Sequence, residues 1–382
     1  MGLFSAQIKT VIASSVQSKA FLLPCAVILL LLSFIYSPFY ETNDDHRDLV
    51  MATTAKVAKG CFHPTPKECQ PPSLEHVRSK YAFATFLTGM ADDADAESRL
   101  SNDHYFLATR ILAYQLLHAP DTRSRDETIP FIVLVTEHVN EERRSRLRKD
   151  GAIVVFAELI KSDWVHTDVS TWQDVMTKLR IWELTQFERI CFVDGDTILV
   201  EPLDGVFQDD AVTSRKTGDI KTQIFDDEAA MPVTYSFAGV PEMNRNHHFP
   251  PVDGQGDFIN IDYLNAGFFV LEPSLPMFDY YLSLMNTVDK FNAHMPEQNL
   301  LNYAHRREGN MPWLQLNNTW NIHYPTKDDV ALGVKSLHVK WWNPEDDELR
   351  SYLEGWRWRM EGHYEARDAL LGEPASTTRL QD

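Results

Sequence analysis

From Tyr81 onward, short apolar runs alternate with helical segments, and this alternation constrains the fold more than any other feature of the chain. YAFATFLT (81–88) is rich in strand formers, and DHYFLATRILAYQLLH (103–118) places Tyr105, Ala108, Ile111, Leu112 and Leu116 at helical spacing. PFIVLVTE (130–137) is a buried-strand run. A charged helix closed by Gly151 follows, then a further strand, AIVVFAEL (152–159). Residues 174–187 read as a helix and ICFV (190–193) as a strand. Strands and helices alternating at this spacing predict an α/β domain with a mostly parallel sheet, whose ligand lies beyond the carboxyl ends of the strands. The acidic stretch 91–103 and the segment 204–258, with its glycines and prolines, read as loops or insertions, and there is no internal repeat.

Ahead of this domain, Ala20 to Tyr40 runs without a charge, preceded by Lys9 and Lys19 and followed by Asp44, Asp45 and Asp48. About twenty apolar residues span a bilayer as a helix. Positive charge before the span and acid after it predict a cytoplasmic tail (1–19), a transmembrane signal anchor (20–40) and a lumenal remainder. A cleaved signal peptide would carry a shorter apolar core and a small-residue cut site, and a core helix would be amphipathic. Residues 41–77 are polar and proline-bearing and read as a stem, leaving a domain over 78–366 and a polar tail at 367–382. Cys61 and Cys69 lie in the stem, as a small-loop disulfide or as two free thiols.

The chain carries 55 acidic against 36 basic side chains, a net charge of −19. Without residues 1–40, which hold two lysines and no acid, that becomes −21. Such a balance argues against nucleic acid as a partner, because a phosphate backbone needs a basic surface. Four cysteines exclude a disulfide-built scaffold.

The stretch that carries chemistry is ICFVDGDTILV (190–200), an apolar strand that ends in Asp194-Gly195-Asp196. Side chains two apart in extended backbone point to one side, so both carboxylates can face one hard cation such as Mn²⁺ or Mg²⁺, with Gly195 letting a ligand approach the backbone. Carboxylates at the end of a buried run need a partner. A second Asp-x-Asp, Asp93/Asp95, reads as a solvated acidic loop.

The wider stretch TKLRIWELTQFERICFVDGDTILVEPLDGVF (177–207) resembles the metal-site region of the family 8, glycogenin-like retaining glycosyltransferases, nucleotide-sugar enzymes with a Rossmann-like GT-A fold. Four further stretches match in the family's order: FATFLTG (83–89) with Asp103-His104-Tyr105, LNAGFFVLEPS (264–274), PEQNLLN (296–302) and LHVKWW (337–342). The anchor and stem are most similar to the fungal Golgi branch, which includes N-acetylglucosaminyltransferases. The resemblance implies Asp194, Asp196 and His338 as ligands of Mn²⁺, with Mg²⁺ as the substitute. It implies Leu87, Thr88 and Tyr105 at the uridine, and Lys178, Asn265, Gly267, Glu297 and Gln298 around the donor sugar, Gln298 nearest the anomeric carbon. The family's histidine loop carries a glycine and a later lysine before Pro-Trp. Here the glycine is missing, and Lys340 is the lysine placed to meet the diphosphate.

The implied function is transfer of a sugar, foremost N-acetylglucosamine, from a UDP-sugar to a glycan or glycoprotein, by a type II Golgi membrane protein. Alternatives are a glycogenin-like glucosyl- or galactosyltransferase and a non-catalytic nucleotide-sugar-binding Golgi protein. A metal phosphohydrolase would want a larger set of His and Asp ligands. Asn317-Asn318-Thr319 is an N-glycosylation sequon beyond the anchor.

Overall fold

The computed structural model describes residues 73–89, 96–165, 167, 172, 174–218 and 228–372. The expected tail, membrane anchor and most of the stem, with Cys61 and Cys69, lie outside the described residues, as do Asp93, Asp95 and residues 373–382. Among the described residues no helix is long and apolar enough to cross a membrane.

The chain runs β1 (Tyr81–Leu87), α1 (Ala96–Leu117), β2 (Phe131–Val135), α2 (Glu141–Lys149), β3 (Ile153–Phe156), β4 (Arg189–Val193) and β5 (Thr197–Leu199). A two-stranded ribbon, β6 (Arg215–Lys216) with β7 (Thr234–Tyr235), precedes β8 (Phe237–Met243), β9 (Phe258–Leu271), α3 (Leu275–Met285) and α4 (Pro296–Ala304). The last part is β10 (Leu314–Gln315), β11 (Ile322–His323), α5 (Lys327–Leu332), β12 (Ser336–His338) and α6 (Arg350–Leu370).

Seven strands form one sheet in the order β10-β8-β9-β4-β1-β2-β3. Strands β1 to β4 are mutually parallel, whereas β9 runs antiparallel to both β4 and β8. The expected α/β class holds, with a mixed sheet. Alternate residues of β1 serve opposite faces: Ala82 and Ala84 join Leu179, Trp182 and Tyr281, while Phe83 and Leu87 join Leu112 and Leu116 of α1. The order reverses where β1 lies between β2 and β4, and this switch point is where open α/β sheets bind ligands. Three further strands, β11-β12-β5, form a small second sheet against it.

Three local readings need correction. Helix α1 starts at Ala96, so 96–103 is helical and not loop; its Ala-Glu-Ser-Arg-Leu start has good helix formers but too few apolar residues to show a period. The segment expected as a helix over 174–187 is wound as successive 3-10 turns, Val175–Glu183. Seven of its nine residues are buried, so tertiary contacts set its winding. The span 204–258 contains a core strand, β8, buried along its whole length. Gly239 and Pro241 obscured it; Gly239 is needed because a Cβ there would lie 2.4 Å from Leu264 Cδ1, and Pro241 sits at a register shift against β9.

The domain is fastened at both ends. Leu74 and Val77 already pack on the core, and α6 continues to Leu370, burying Asp368 against Arg146. Arg146 also pairs with Asp150, which takes a 2.7 Å bond from Arg110. Burial opposes the Asp368 charge, but the hydrogen bond and field of Arg146, with Arg367, outweigh it and hold the carboxyl below its ordinary pKa. Asp368→Asn is therefore expected to lower the unfolding free energy by about 1–3 kcal/mol at pH 7. A depressed folded-state pKa stabilises above the unfolded value of about 4. The wild-type advantage is lost as pH falls through the folded value, so urea melts of the two chains should converge on acidification.

Candidate active site

Strand β4 is apolar until Asp194, whose backbone N–H donates to Gly267 O on β9 at 2.8 Å. A tight turn, Thr197 N to Asp194 O at 3.1 Å, leads into β5. Strand β5 pairs antiparallel with β12, setting His338 opposite Thr197, and Val339 N donates to Asp196 O at 3.0 Å. His338 Nε2 thereby lies 3.4 Å from Asp196 Oδ1 and 3.9 Å from Asp194 Oδ2. Burial opposes protonation of His338, yet the hydrogen bond and charge of Asp196, with Asp194 and Glu242, hold its pKa above the ordinary value.

Gly267 is where the imidazole rests. A Cβ on Gly267 would come within 2.2 Å of His338 Cε1 and 2.6 Å of Nδ1. Gly267→Ala is expected to displace the ring and reproduce the loss of divalent-ion affinity of His338→Ala, on the order of 10- to 100-fold. Mn²⁺ titrations of the two variants should coincide.

Lys178, from the 3-10 segment, is 3% exposed. Its Nζ donates to Asp194 Oδ1 and Glu297 Oε1, both at 3.0 Å, and to Ala266 O at 3.3 Å, and sits 4.7 Å from the Phe192 ring centroid. Desolvation acts to lower its pKa, but the two carboxylates together raise it, so the ammonium stays charged. All three of its donors are engaged with protein.

Beside it, two amides are locked by one acid. Asn265 Oδ1 accepts from Gly267 N at 2.9 Å and Gln298 Oε1 from Ala266 N at 2.9 Å, while Asn265 Nδ2 and Gln298 Nε2 donate to Glu242 Oε2 at 2.9 and 3.2 Å. The other oxygen of Glu242 takes His323 Nδ1 at 2.6 Å. Burial opposes the Glu242 charge, but the His323 hydrogen bond and field and the Asn265 amide keep its pKa below the ordinary value. Sequence reasoning missed both Glu242 and His323. A carboxylate inside the apolar run FAGVPEM was the available sign, since a buried acid needs partners; His323 had none.

At the other end of the site, Thr88 Oγ1 donates to Asp174 Oδ2 at 2.7 Å, and Leu87 is buried. Burial pushes the Tyr105 phenol pKa up, helped by Asp196 and Asp194. Lys340 is exposed just past β12, its Nζ 5.9 Å from the Tyr105 ring centroid. Gly195 stays small because Thr109 Oγ1 of α1 would lie 3.0 Å from a Cβ there.

One cleft of about 670 Å³ at the β1/β4 switch point unites them. Leu87, Thr88, Tyr105, Lys178, Asp194, Gly195, Asp196, Asn265, Gly267, Glu297, Gln298, His338 and Lys340 all line it. Asp194, Asp196 and His338 each offer a ligand atom within 4.8 Å of the others. His338 Nδ1, buried, has no hydrogen-bond partner among the described residues. Two carboxylates and an imidazole suit Mn²⁺, with Mg²⁺ favoured less by the nitrogen ligand.

This α/β chain is similar in sequence to glycosyltransferases. Galactinol synthase 2 of Ajuga reptans is 28% identical over 177 residues, 45% of this chain and 57% of that protein. An uncharacterized Schizosaccharomyces pombe protein, C5H10.12c, is 30% identical over 315 residues, covering 74% of this chain and 79% of that one, and the chain belongs to its family. No family model matches. Among solved structures, mouse xyloside xylosyltransferase 1 aligns with a TM-score of 0.40 at 13% identity, over 68% of this chain and 97% of that one; at that level the likeness fixes neither fold details nor function.

Proposed function

We propose that the chain is a divalent-metal-dependent, retaining glycosyltransferase of the glycogenin-like family 8, with a GT-A domain that takes a UDP-sugar donor and a glycan or glycoprotein acceptor. The observation that carries this reading is the convergence of Asp194, Asp196 and His338 on one point of a cleft whose adjoining wall presents locked amides. N-acetylglucosamine is the foremost donor sugar, followed by glucose and galactose. We further propose, from the apolar stretch 20–40 and the family resemblance, a single-pass type II protein of the Golgi membrane with the domain lumenal. Asn317 of the sequon is exposed, so in a lumenal domain it would be accessible to N-glycosylation.

Each group then has a task. Leu87, Thr88 and Tyr105 hold the uridine. Asp194, Asp196 and His338 hold the metal, and His338 adds coordination without adding negative charge. When bound, the metal supplies Lewis-acid neutralisation of charge on the departing diphosphate. Lys340, next to Tyr105, meets the phosphates in place of the family's later lysine. Lys178 holds the carboxylates of Asp194 and Glu297 in place through one hydrogen bond to each. Asn265 and Gln298, held by Gly267 N, Ala266 N and Glu242, face the sugar with their amides already oriented, so little ordering cost falls on the reaction.

The test is UDP release by the full-length chain from UDP-N-acetylglucosamine, UDP-glucose and UDP-galactose. Release from at least one donor is expected with Mn²⁺, lost on EDTA treatment and restored by excess Mn²⁺. Undiminished release in EDTA would overturn the metal-dependent reading, and no UDP binding at all would overturn the function.

A further inference from the structure

Past His338 the chain reads Val339-Lys340-Trp341-Trp342-Asn343-Pro344, a stretch with no glycine and two adjacent indoles. Asn343 N donates to Lys340 O at 3.0 Å, closing a turn that starts at Lys340 and has the two tryptophans at its centre. Val339, Lys340 and Asn343 line the cleft. Surface turns are commonly the more mobile parts of a fold, but the side chains of this one are tied to two helices.

Trp341 is the inner anchor. It is buried, and joins Leu353, Trp356 and Met360 of α6 and Leu107 and Ile111 of α1 in one apolar cluster. The Arg357 guanidinium of α6 lies over its ring at 5.3 Å, and Arg357 Nε donates to Glu361 Oε1 at 3.0 Å. Trp342 is the outer anchor and is half-buried. Its ring stacks on His104 of α1 at 5.0 Å, with 15° between the planes, and meets the Tyr105 ring edge-on at 5.1 Å. Lys340 Nζ lies 5.9 Å from the centroid of that same Tyr105 ring. Helix α1 thus faces both Trp342 and Lys340, and the turn cannot swing away from the cleft without breaking both ring contacts of Trp342.

We infer that Trp342 is a positioning residue: through its contacts with His104 and Tyr105 it sets where Lys340 stands for the diphosphate of the donor. This rests on the glycosyltransferase reading above. Lys340 lines the cleft and Trp342 does not, so the indole acts from behind the lysine. Lysine is a compact charge on a flexible stem, and ordering it on binding costs entropy. Fixing the backbone that carries it lowers that cost. Each aromatic pair moves a packed–unpacked equilibrium about two- to tenfold, and apparent affinity falls with the fraction of molecules competent to bind. The net charge of −19 makes this placement matter, because Lys178, the other lysine lining the cleft, is held by Asp194 and Glu297.

The test is a double-mutant cycle on the full-length chain, read as the Kd for UDP at saturating Mn²⁺ and, separately, as the Kd for Mn²⁺ alone. Trp342→Ala is expected to raise the UDP Kd about fivefold or more. Trp342→Phe, which keeps a ring against His104 and Tyr105, should raise it less than about twofold. The Mn²⁺ Kd of Trp342→Ala should stay within about twofold of wild type, because pairing of β12 with β5 and β11 fixes His338; this also reports that the variant is folded. Lys340→Ala should raise the UDP Kd by itself, and adding Trp342→Ala to it should cost less than about twofold more, since the indole then has no cation to place. Losses that add in full would assign Trp342 to holding Tyr105, and a parallel loss of Mn²⁺ affinity would make it a structural residue of the turn. Either result overturns the inference, as does an unchanged UDP Kd in Trp342→Ala or in Lys340→Ala, and each leaves the glycosyltransferase reading standing. A wild-type chain that binds no UDP brings down both.

Discussion

Asp196→Ala is expected to abolish Mn²⁺-dependent UDP release by the full-length chain, with a loss of about 10³-fold or more, while the domain stays folded. The carboxylate is one of three groups that meet at the cluster, 3.4 Å from His338 Nε2. Removing it leaves one acid and one imidazole, too few to hold a divalent ion against competition from water. The stabilisation lost is that of charge developing on the leaving diphosphate, and removing one preorganised electrostatic stabiliser alone costs about 10²–10³; loss of the ion adds to this. The fold is spared because Asp196 is a turn residue at the cleft and carries no core packing: the apolar residues of β4 and β5 on either side of the turn remain. Rates across a Mn²⁺ series check the result, and an Asp196→Ala chain with wild-type turnover at ordinary Mn²⁺ would contradict it.

Lys178→Met is expected to act on stability as well as activity. The ammonium is 3% exposed and joins Asp194 to Glu297 at 3.0 Å each. Truncating one member of a buried charge set leaves its partners uncompensated, at about 3–5 kcal/mol. The sign with pH follows from which groups are stranded. Burial already holds the Asp194 carboxyl above its ordinary pKa against the opposing field of Lys178, so without Lys178 the Asp194 carboxylate is destabilising when ionised and less so once protonated. The deficit against wild type should be greatest at pH 8 and shrink toward pH 5 in thermal melts. Saturating Mn²⁺ should recover part of it by replacing the missing positive charge. A variant that melts with the wild type at pH 8 would remove Lys178 from the electrostatics of the site.

The parallel half of the fold was legible because β1, β2 and β4 are short, strand-forming and buried on both faces, a pattern that local sequence displays directly. Polar positions of the cleft were legible where they interrupt apolar runs, as Asp194 does at the end of β4 and Asn265 within β9. What stayed hidden depends on contacts distant in sequence. The 3-10 winding of Val175–Glu183 follows from burial on several sides, and β8 was masked by Gly239 and Pro241, whose use is a close approach to Leu264 and a bulge. Glu242 and His323 are 81 positions apart and acquire meaning when β8 and β11 bring them to 2.6 Å. The role of Gly267 as a seat for His338, 71 residues later, is likewise visible only in three dimensions.

The central claim is that Asp194, Asp196 and His338 hold one divalent ion beneath a nucleoside diphosphate. Anomalous diffraction at the manganese edge, from crystals of the protein soaked with Mn²⁺ and UDP, tests it most directly. The account predicts a single strong peak among the two carboxylates and His338 Nε2, with the diphosphate on the ion and the uridine against Leu87, Thr88 and Tyr105. A peak elsewhere, or UDP bound in the cleft with no ion at these three residues, would contradict it.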